Sequence, residues 1–517
     1  MNTKRDVDMV EDKDRDSISL DKEAQVTYQV KPGMTADDAE WLANVPPKEQ
    51  DRIFHKVDIR LVPMLALLYL IAHLDRANIG NAKIEGLEAS LGMVDTDYNV
   101  AVGVFFVPYV LCEVPSNLLL AKFKKASWYM GFLVVCWGII MTLTGCTQSF
   151  GGLVACRFLL GVFEAGFFPG AIWIVSEWYP PHKSQMRMAM FYLSSALSGA
   201  FSGLLAAGIA QMRGLGGYEG WRWIFILEGI VSVVVGISCF FLLPDNPSSA
   251  SWLKPDESRF LDLMHTSTRG KAVKHEGEEK KSHHWKTLWQ VLTDKQMYFQ
   301  ALVFASNSVP NYGLKFTMPQ IIRNMGYTST RAQLLTAPPY ACGAIAAVTS
   351  AYFADKLTWR MPFIVASQCL LVIAYSVLFV FAPNIADNVP LCYVMVFLAC
   401  ISVYPILPGC NAWTINNLAN AEKRSMGIAF MICIGNLGGL PGSFIFLQRE
   451  SPQYPTGFGT SLAFGGAGLV SALLLEYFYW SHNKKWEKVP EEEIRAKYSD
   501  EELDRLGNKS PLFRYAL

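Results

Sequence analysis

A handful of ionisable side chains interrupt long apolar runs in this sequence. The stretch LVPMLALLYLIAHLDRANIG carries His73, Asp75 and Arg76, and CRFLLGVFEAGFFPG carries Arg157 and Glu164. A charged side chain at mid-helix in hydrocarbon costs roughly 2.5–3.5 kcal/mol on insertion scales, so it needs a partner, water or a function. Arg157 and Glu164 are seven residues apart. In a helix that is about two turns, which puts both on one face roughly 10 Å apart along the axis. Desolvation favours the neutral form of a carboxylate, and a nearby arginine favours the charged form. Competition between the two makes protonation depend on whether an anion occupies the arginine. That is the minimum chemistry for coupling anion movement to proton movement. On this reading Asp75 and Glu164 carry protons, while Arg76 and Arg157 meet the anion. The alternative is that the pairs only latch helices together.

In the second half, FASNSVPNYGLKFTMPQII contains Lys315, the one lysine well inside an apolar run. It either offers a positive charge to an anion or snorkels to the outer headgroups. Asn307, Asn311, Asn411, Asn416 and Asn436 are further polar candidates. Each serves equally as a ligand contact or as an interhelical hydrogen-bond partner. His73, one turn from Arg76, is either a bundle-interior histidine or part of the same site; with Lys315, Asn311 and Asn436 it completes the candidate binding set. Glu113, Glu228 and Glu476 are read as structural, with Glu228 within reach of Arg222 and Glu476 near the inner end of its span.

The elements that position these residues follow from composition. Half of the 517 residues are apolar (51%), 17% are charged, and the mean hydropathy is +0.22, high for a soluble globular protein. Net charge is zero and there is no basic, aromatic-studded patch, so nucleic-acid binding is not expected. The eleven cysteines all fall in apolar segments without paired or metal-ligand spacing, so neither a disulfide framework nor a metal site is expected. No cofactor is expected either. The charged N-terminal stretch lacks the apolar core of a signal peptide and reads as a disordered cytosolic tail.

A helix that crosses about 30 Å of hydrocarbon needs about 20 mostly apolar residues. That ruler gives spans one to six near 61–80, 98–120, 128–147, 151–176, 188–211 and 222–243. Spans seven to twelve fall near 297–321, 332–354, 362–382, 389–411, 426–447 and 459–480. The fold class expected is an all-α membrane protein with twelve transmembrane helices in two six-helix halves. With the N-terminus inside, the inner loops hold Lys122, Lys124, Lys125, Lys183, Arg187, Lys356, Arg360, Lys423 and Arg424, while the outer loops hold few basic residues. Lysine and arginine stay on the cytoplasmic side, so both termini are expected there. The expected organisation is a cytosolic tail over 1–56, halves over 57–243 and 297–482, a cytosolic linker over 244–296 and a cytosolic tail over 483–517. Similar halves suit a transporter that rocks around a site at their interface. Gly199 and Gly203, four residues apart in span five, permit close helix approach.

The segments LDRANIGNAKIEGL, EVPSNLLL, CRFLLGVFEAGFFPGAIWIVSEWYP, GWRWIFILEGI, FLLPDNP and AQLLTAPPYACG together resemble the major facilitator superfamily. Within it they resemble the fungal allantoate permease-like branch of the anion:cation symporters, over about residues 55–485. The superfamily's short loop motif is degraded in AKFKKASW, whereas ADKLTWR keeps Asp355 and Arg360. The resemblance implies import of a small carboxylate-bearing solute, such as nicotinate, pantothenate or allantoate, with protons as the coupling ion and the plasma membrane as the site. It also implies that Asp75 and Glu164 take up the proton and that Arg76 and Arg157 recognise or gate the carboxylate, since bacterial sugar-acid members carry acids and arginines in matching places. An exporter of drugs or secondary metabolites is the first alternative, against which span five lacks a Gly-Pro signature. A nutrient sensor is the second, against which stands a C-terminal tail of only about 35 residues. No phosphate loop, metal-ligand cluster or nucleophile–base set points to an enzyme.

Overall fold

A computed structural model describes residues 35–516, except 121, 124, 270–286, 358, 419–420, 488, 491–492, 495–496, 500–501 and 503–506. Every regular element among the described residues is a helix. Ten are long and apolar enough to cross a membrane, from Pro47–Ile84 to Pro455–Glu487. The other two expected spans are also helical, and each departs from that standard for its own reason. Span seven is the continuous helix Lys295–Asn324, whose Gln300, Asn307, Asn311 and Lys315 dilute its apolar character. Span two is split into Asp97–Gly103 and Phe106–Leu120.

Proline explains that split. Pro108 has no N–H to donate to the carbonyl of Val104, and the helix opens into a turn at Val104 and Phe105. Span four breaks in the same way between Phe150–Glu164 and Phe167–Trp178, where Pro169 leaves the carbonyl of Ala165 without its helical donor. Both breaks flank the level at which Arg76, Tyr109 and Glu164 gather.

The internal repeat is visible in the packing. Span three lies against span six and span one against spans five and six. In the second half span nine lies against twelve, and span seven against eleven and twelve. The halves meet where span five packs on eight, two on eleven and one on seven. Small residues set the approach: a Cβ on Gly80 would stand 2.7 Å from the Phe316 carbonyl oxygen, and one on Gly199 would stand 2.7 Å from the Tyr340 ring.

One end of this seam is closed by hydrogen bonds to backbone. Arg323 Nη1 and Ser329 Oγ donate to the Ile84 carbonyl at 2.9 and 3.0 Å. Asn99 Nδ2 donates to the carbonyls of Ser443 (2.6 Å) and Phe446 (3.2 Å), and Tyr98 Oη donates to the Phe316 carbonyl at 3.1 Å. These groups lie at the face of the short loops, opposite the termini and the central linker.

The terminus-bearing face differs from the sequence expectation. Residues 36–56, expected within a disordered tail, form the helix Ala36–Ala43 and the first turns of the helix that begins at Pro47. Arg259, on the linker helix Pro255–Arg269, donates to Asp38 at 2.7 Å, and Lys56 pairs with Glu257. Arg259 and the Thr35 cap hold the Asp38 carboxyl down at about 2, so this contact is charged throughout the physiological range. Residues before 35 and the linker segment 270–286 lie outside the described residues. The far tail is docked too: Tyr515 stacks on Tyr479 with ring centroids 4.5 Å apart, and Asn483 and Asn417 bracket the backbone of Tyr515 and Ala516 with paired hydrogen bonds.

Candidate functional site

Span one places three of the candidate residues by helical phase. His73 and Arg76 are one turn apart and face the seam, whereas Asp75 faces away toward span six. Span seven supplies the opposing stripe Asn307, Asn311 and Lys315, spaced by four residues. A cavity of about 90 Å³ lies between them, lined by His73, Arg76, Asn307, Asn311, Lys315 and Asn436. Aromatic rings complete its wall, among them Tyr69, Tyr109 and Tyr312.

Arg76 forms a buried ion pair with Glu164, whose carboxylate is 1% exposed. Its guanidinium also lies over the rings of Tyr109 at 4.5 Å and Phe105 at 5.1 Å. These rings and the carboxylate fix the plane of the guanidinium, which leaves its remaining N–H donors as a preset fork for a carboxylate. The pairing differs from the one that spacing suggests. Glu164 engages Arg76 across helices and not Arg157 on its own helix, because two turns along the axis, about 10 Å, exceed the reach of a direct ion pair. Arg157 is buried beneath Arg76; its Nε and Nη2 make no hydrogen bond, and it lies 5.9 Å from the Phe225 ring. Arg76 and Arg157 border the same small void of about 10 Å³.

Lys315 is 5% exposed, and its Nζ is 2.8 Å from His73 Nδ1. It therefore does not snorkel to the headgroups; it points into the cavity. With Lys315 as an ammonium, which only donates, His73 accepts at Nδ1 and carries its proton on Nε2. Asn436 lines the cavity and donates from Nδ2 to Glu113 at 3.2 Å. Asn307 has a buried Oδ1 without a hydrogen bond, an acceptor aimed at the cavity. Asn411 and Asn416 stand outside the cavity, and Asn416 is exposed.

Asp75 accepts from Ser232 Oγ at 3.0 Å and does not line the cavity. Glu228 departs from its expected partner. It accepts from Asn78 Nδ2, while Arg222 Nη1 donates to the carbonyls of Gly145 and Thr147. Arg222 sits at the end of the helix, nearer the loop carbonyls than a carboxylate two turns in. Glu476 accepts from Trp359 Nε1 at 3.2 Å. The tyrosines beside Arg76 escaped sequence reasoning, since an aromatic residue in a membrane helix gives no sign of facing a site and not lipid. Tyr109 follows Pro108, and that proline was the one available hint.

The charge of the lining is one-sided. Its two charged members, Arg76 and Lys315, are both cations, and no carboxylate is among the lining residues.

Known proteins match this arrangement along most of its length. The family model described as Major Facilitator Superfamily matches residues 65–443. An MFS-type transporter of Penicillium expansum, cnsO, is 35% identical over 90% of each chain. A high-affinity nicotinic acid transporter of Saccharomyces cerevisiae is 28% identical over 96% of this chain and 90% of its own. Among solved structures, a bacterial homolog of the human lysosomal transporter Spinster, in an inward-facing and occupied conformation, superposes with a TM-score of 0.60 at 16% identity. That match covers 81% of this chain and 95% of the other, and it concerns the fold.

Proposed function

The chain belongs to the Major Facilitator Superfamily and is a membrane transporter, and we propose that it imports a small carboxylate-bearing solute together with protons. The observation that carries this reading is the cavity at the interface of the halves, whose charged lining is wholly cationic and whose neutral lining is rich in amides. A monocarboxylate placed there meets Arg76 on one wall and Lys315 on the other. Asn307, Asn311 and Asn436 supply hydrogen bonds around it, and the tyrosines supply flat apolar surface. An aromatic or heteroaromatic acid fits such a lining, and the likeness to a nicotinic acid transporter supports the vitamin class.

Coupling follows from the Arg76–Glu164 pair. With Glu164 ionised, Arg76 is shared between an internal carboxylate and the solute. When a proton resides on the buried acids, Arg76 is released to the solute, and the loaded carrier is close to neutral inside. After the proton leaves, Glu164 reclaims Arg76 and the solute is freed. In this scheme Asp75, behind Arg76 on the same helix, is the second acid that takes up protons, and Arg157 sets the positive field beneath both. The basic inner loops favour both termini in the cytosol, and import from the medium would take place at the plasma membrane.

Growth rescue tests the reading. Yeast lacking their own carriers for nicotinate, pantothenate or allantoate should regain growth and acid-stimulated uptake on one of these solutes when they express this chain. Efflux of the solutes, or rescue that ignores external pH, would contradict it.

A further inference from the structure

Behind the cavity, between spans one and six, lies a second polar layer, in which Asp75 has a neighbour, Glu228, with no role so far. Asp75 on span one accepts from Ser232 on span six at 3.0 Å, and one turn away Glu228 on span six accepts from Asn78 on span one. The two contacts form adjacent rungs, each pairing a carboxylate of one helix with a neutral donor of the other. Both acids are buried, 1% and 8% exposed, and each keeps one oxygen, Asp75 Oδ1 and Glu228 Oε1, without a hydrogen bond. Among the described residues neither acid has an ion-pair partner, in contrast to Glu164 with Arg76.

The charge balance makes this layer consequential. The fully buried carboxylates and bases at the middle of the bundle are three of each, Asp75, Glu164 and Glu228 against Arg76, Arg157 and Lys315, and the half-buried Glu113, bonded to Asn436, stands at their edge. Taken as ionised, those six cancel when the cavity is empty. A monoanion in the cavity adds one negative charge, and one proton restores balance. That proton adds to a carboxylate oxygen and later leaves it, with no other bond changed. Glu164 is held by a guanidinium, so the acids bonded only to neutral donors are the cheaper acceptors.

We propose that Glu228 shares the coupling proton with Asp75 before it passes to Glu164, so that the two-rung ladder between spans one and six is where the proton is taken up; this rests on the anion-import reading above. The ladder reaches the seam between the halves. Ser202 Oγ donates to Asn78 Oδ1 at 3.2 Å, and Asn81 Nδ2 donates to Ser202 Oγ at 2.7 Å. Asn81 and Ser202 in turn border a void that Lys315 and Thr336 line from the other half. Neutralising Glu228 weakens its bond to Asn78 and loosens the chain that ties span one to span five, the helix that packs on span eight. The other charged groups around the ladder are Glu164 and Arg157. Span five presents Ser202 to it, and span three packs Thr142 against Gly229 beside Glu228.

Infrared difference spectroscopy of the whole protein in lipid, with carbon-13 in glutamate carboxyls, reads this directly and needs no solute. On acidification the label-shifted band of a protonated glutamic acid should appear in the wild type, persist in Glu164→Gln and vanish in Glu228→Gln. Asp75→Asn should move the pH at which the band appears. A band that survives Glu228→Gln, a band missing from the wild type, or a midpoint unmoved by Asp75→Asn overturns the proposal. If Glu228→Gln does not assemble, Asn78→Leu serves: loss of the amide donor should shift the band, and an unshifted band overturns the proposal. Because no transport is measured, these outcomes are independent of the growth test, which judges the import reading alone.

Discussion

Arg76 is gripped by a carboxylate on one side and two aromatic rings on another, so its charge is oriented before any solute arrives. A charge-assisted hydrogen bond of this kind is worth about 1.5–3 kcal/mol. Arg76→Gln should therefore cut uptake about ten- to a hundredfold while the protein still reaches the membrane, as read by labelled-solute uptake normalised to surface protein. Arg76→Lys should also impair uptake, because a single ammonium cannot reproduce the fork. For Glu164→Gln, exchange of external for internal solute should persist while net proton-driven accumulation fails; normal accumulation would make Glu164 structural. Residue types and spacing were enough to nominate Asp75, Arg76, Arg157, Glu164 and Lys315. They could not assign partners. A spacing of seven fixes a face of one helix, but which neighbour that face meets is decided by tertiary packing. That is why spacing alone points Glu164 toward Arg157 and Glu228 toward Arg222, whereas packing gives them Arg76 and Asn78.

The helices carry two devices that hydropathy alone does not show. Pro108 and Pro169 break spans two and four near the arginines, and close contacts at Gly80 and Gly199 bring the halves together. Gly80→Val places bulk against the Phe316 carbonyl, where even a Cβ would stand at 2.7 Å. The variant should stay in the membrane but fail to close the short-loop face, so a cysteine at Ser443 should become more reactive to a membrane-impermeant thiol reagent. Unchanged reactivity would mean that the seam tolerates the bulk. At the opposite face, Tyr515 is 4% exposed and stacked on Tyr479. Its truncation to alanine should cost about 3 kcal/mol, as for aromatic residues in cores, seen as a lower midpoint of thermal unfolding. Nothing in the sequence near 515 announced this docking. The segment is short, and its partners Asn417 and Asn483 are distant in the chain. The spans themselves were legible because the apolar ruler is long compared with local noise, and even the polar span seven was placed within a few residues of its helix.

For the molecule as a whole, the fold follows from two six-helix halves joined by a linker, and the site follows from their seam. The backbone hydrogen bonds at Ile84, Ser443 and Phe446 close that seam at one face, and on the import reading solute enters there when the halves rock apart. Tags in the linker and beyond Lys484 should both be inaccessible in intact cells; surface labelling of either would reverse the direction of every step above. The most direct test is flux in vesicles reconstituted with the purified protein. Labelled nicotinate, pantothenate and allantoate would be offered with an inward proton gradient, without one, and with a protonophore. The account predicts that at least one acid is concentrated inside only when the gradient is present, and that Arg76→Gln abolishes the accumulation. Equal uptake of that acid with and without the gradient, or its expulsion in exchange for entering protons, would contradict proton-coupled import.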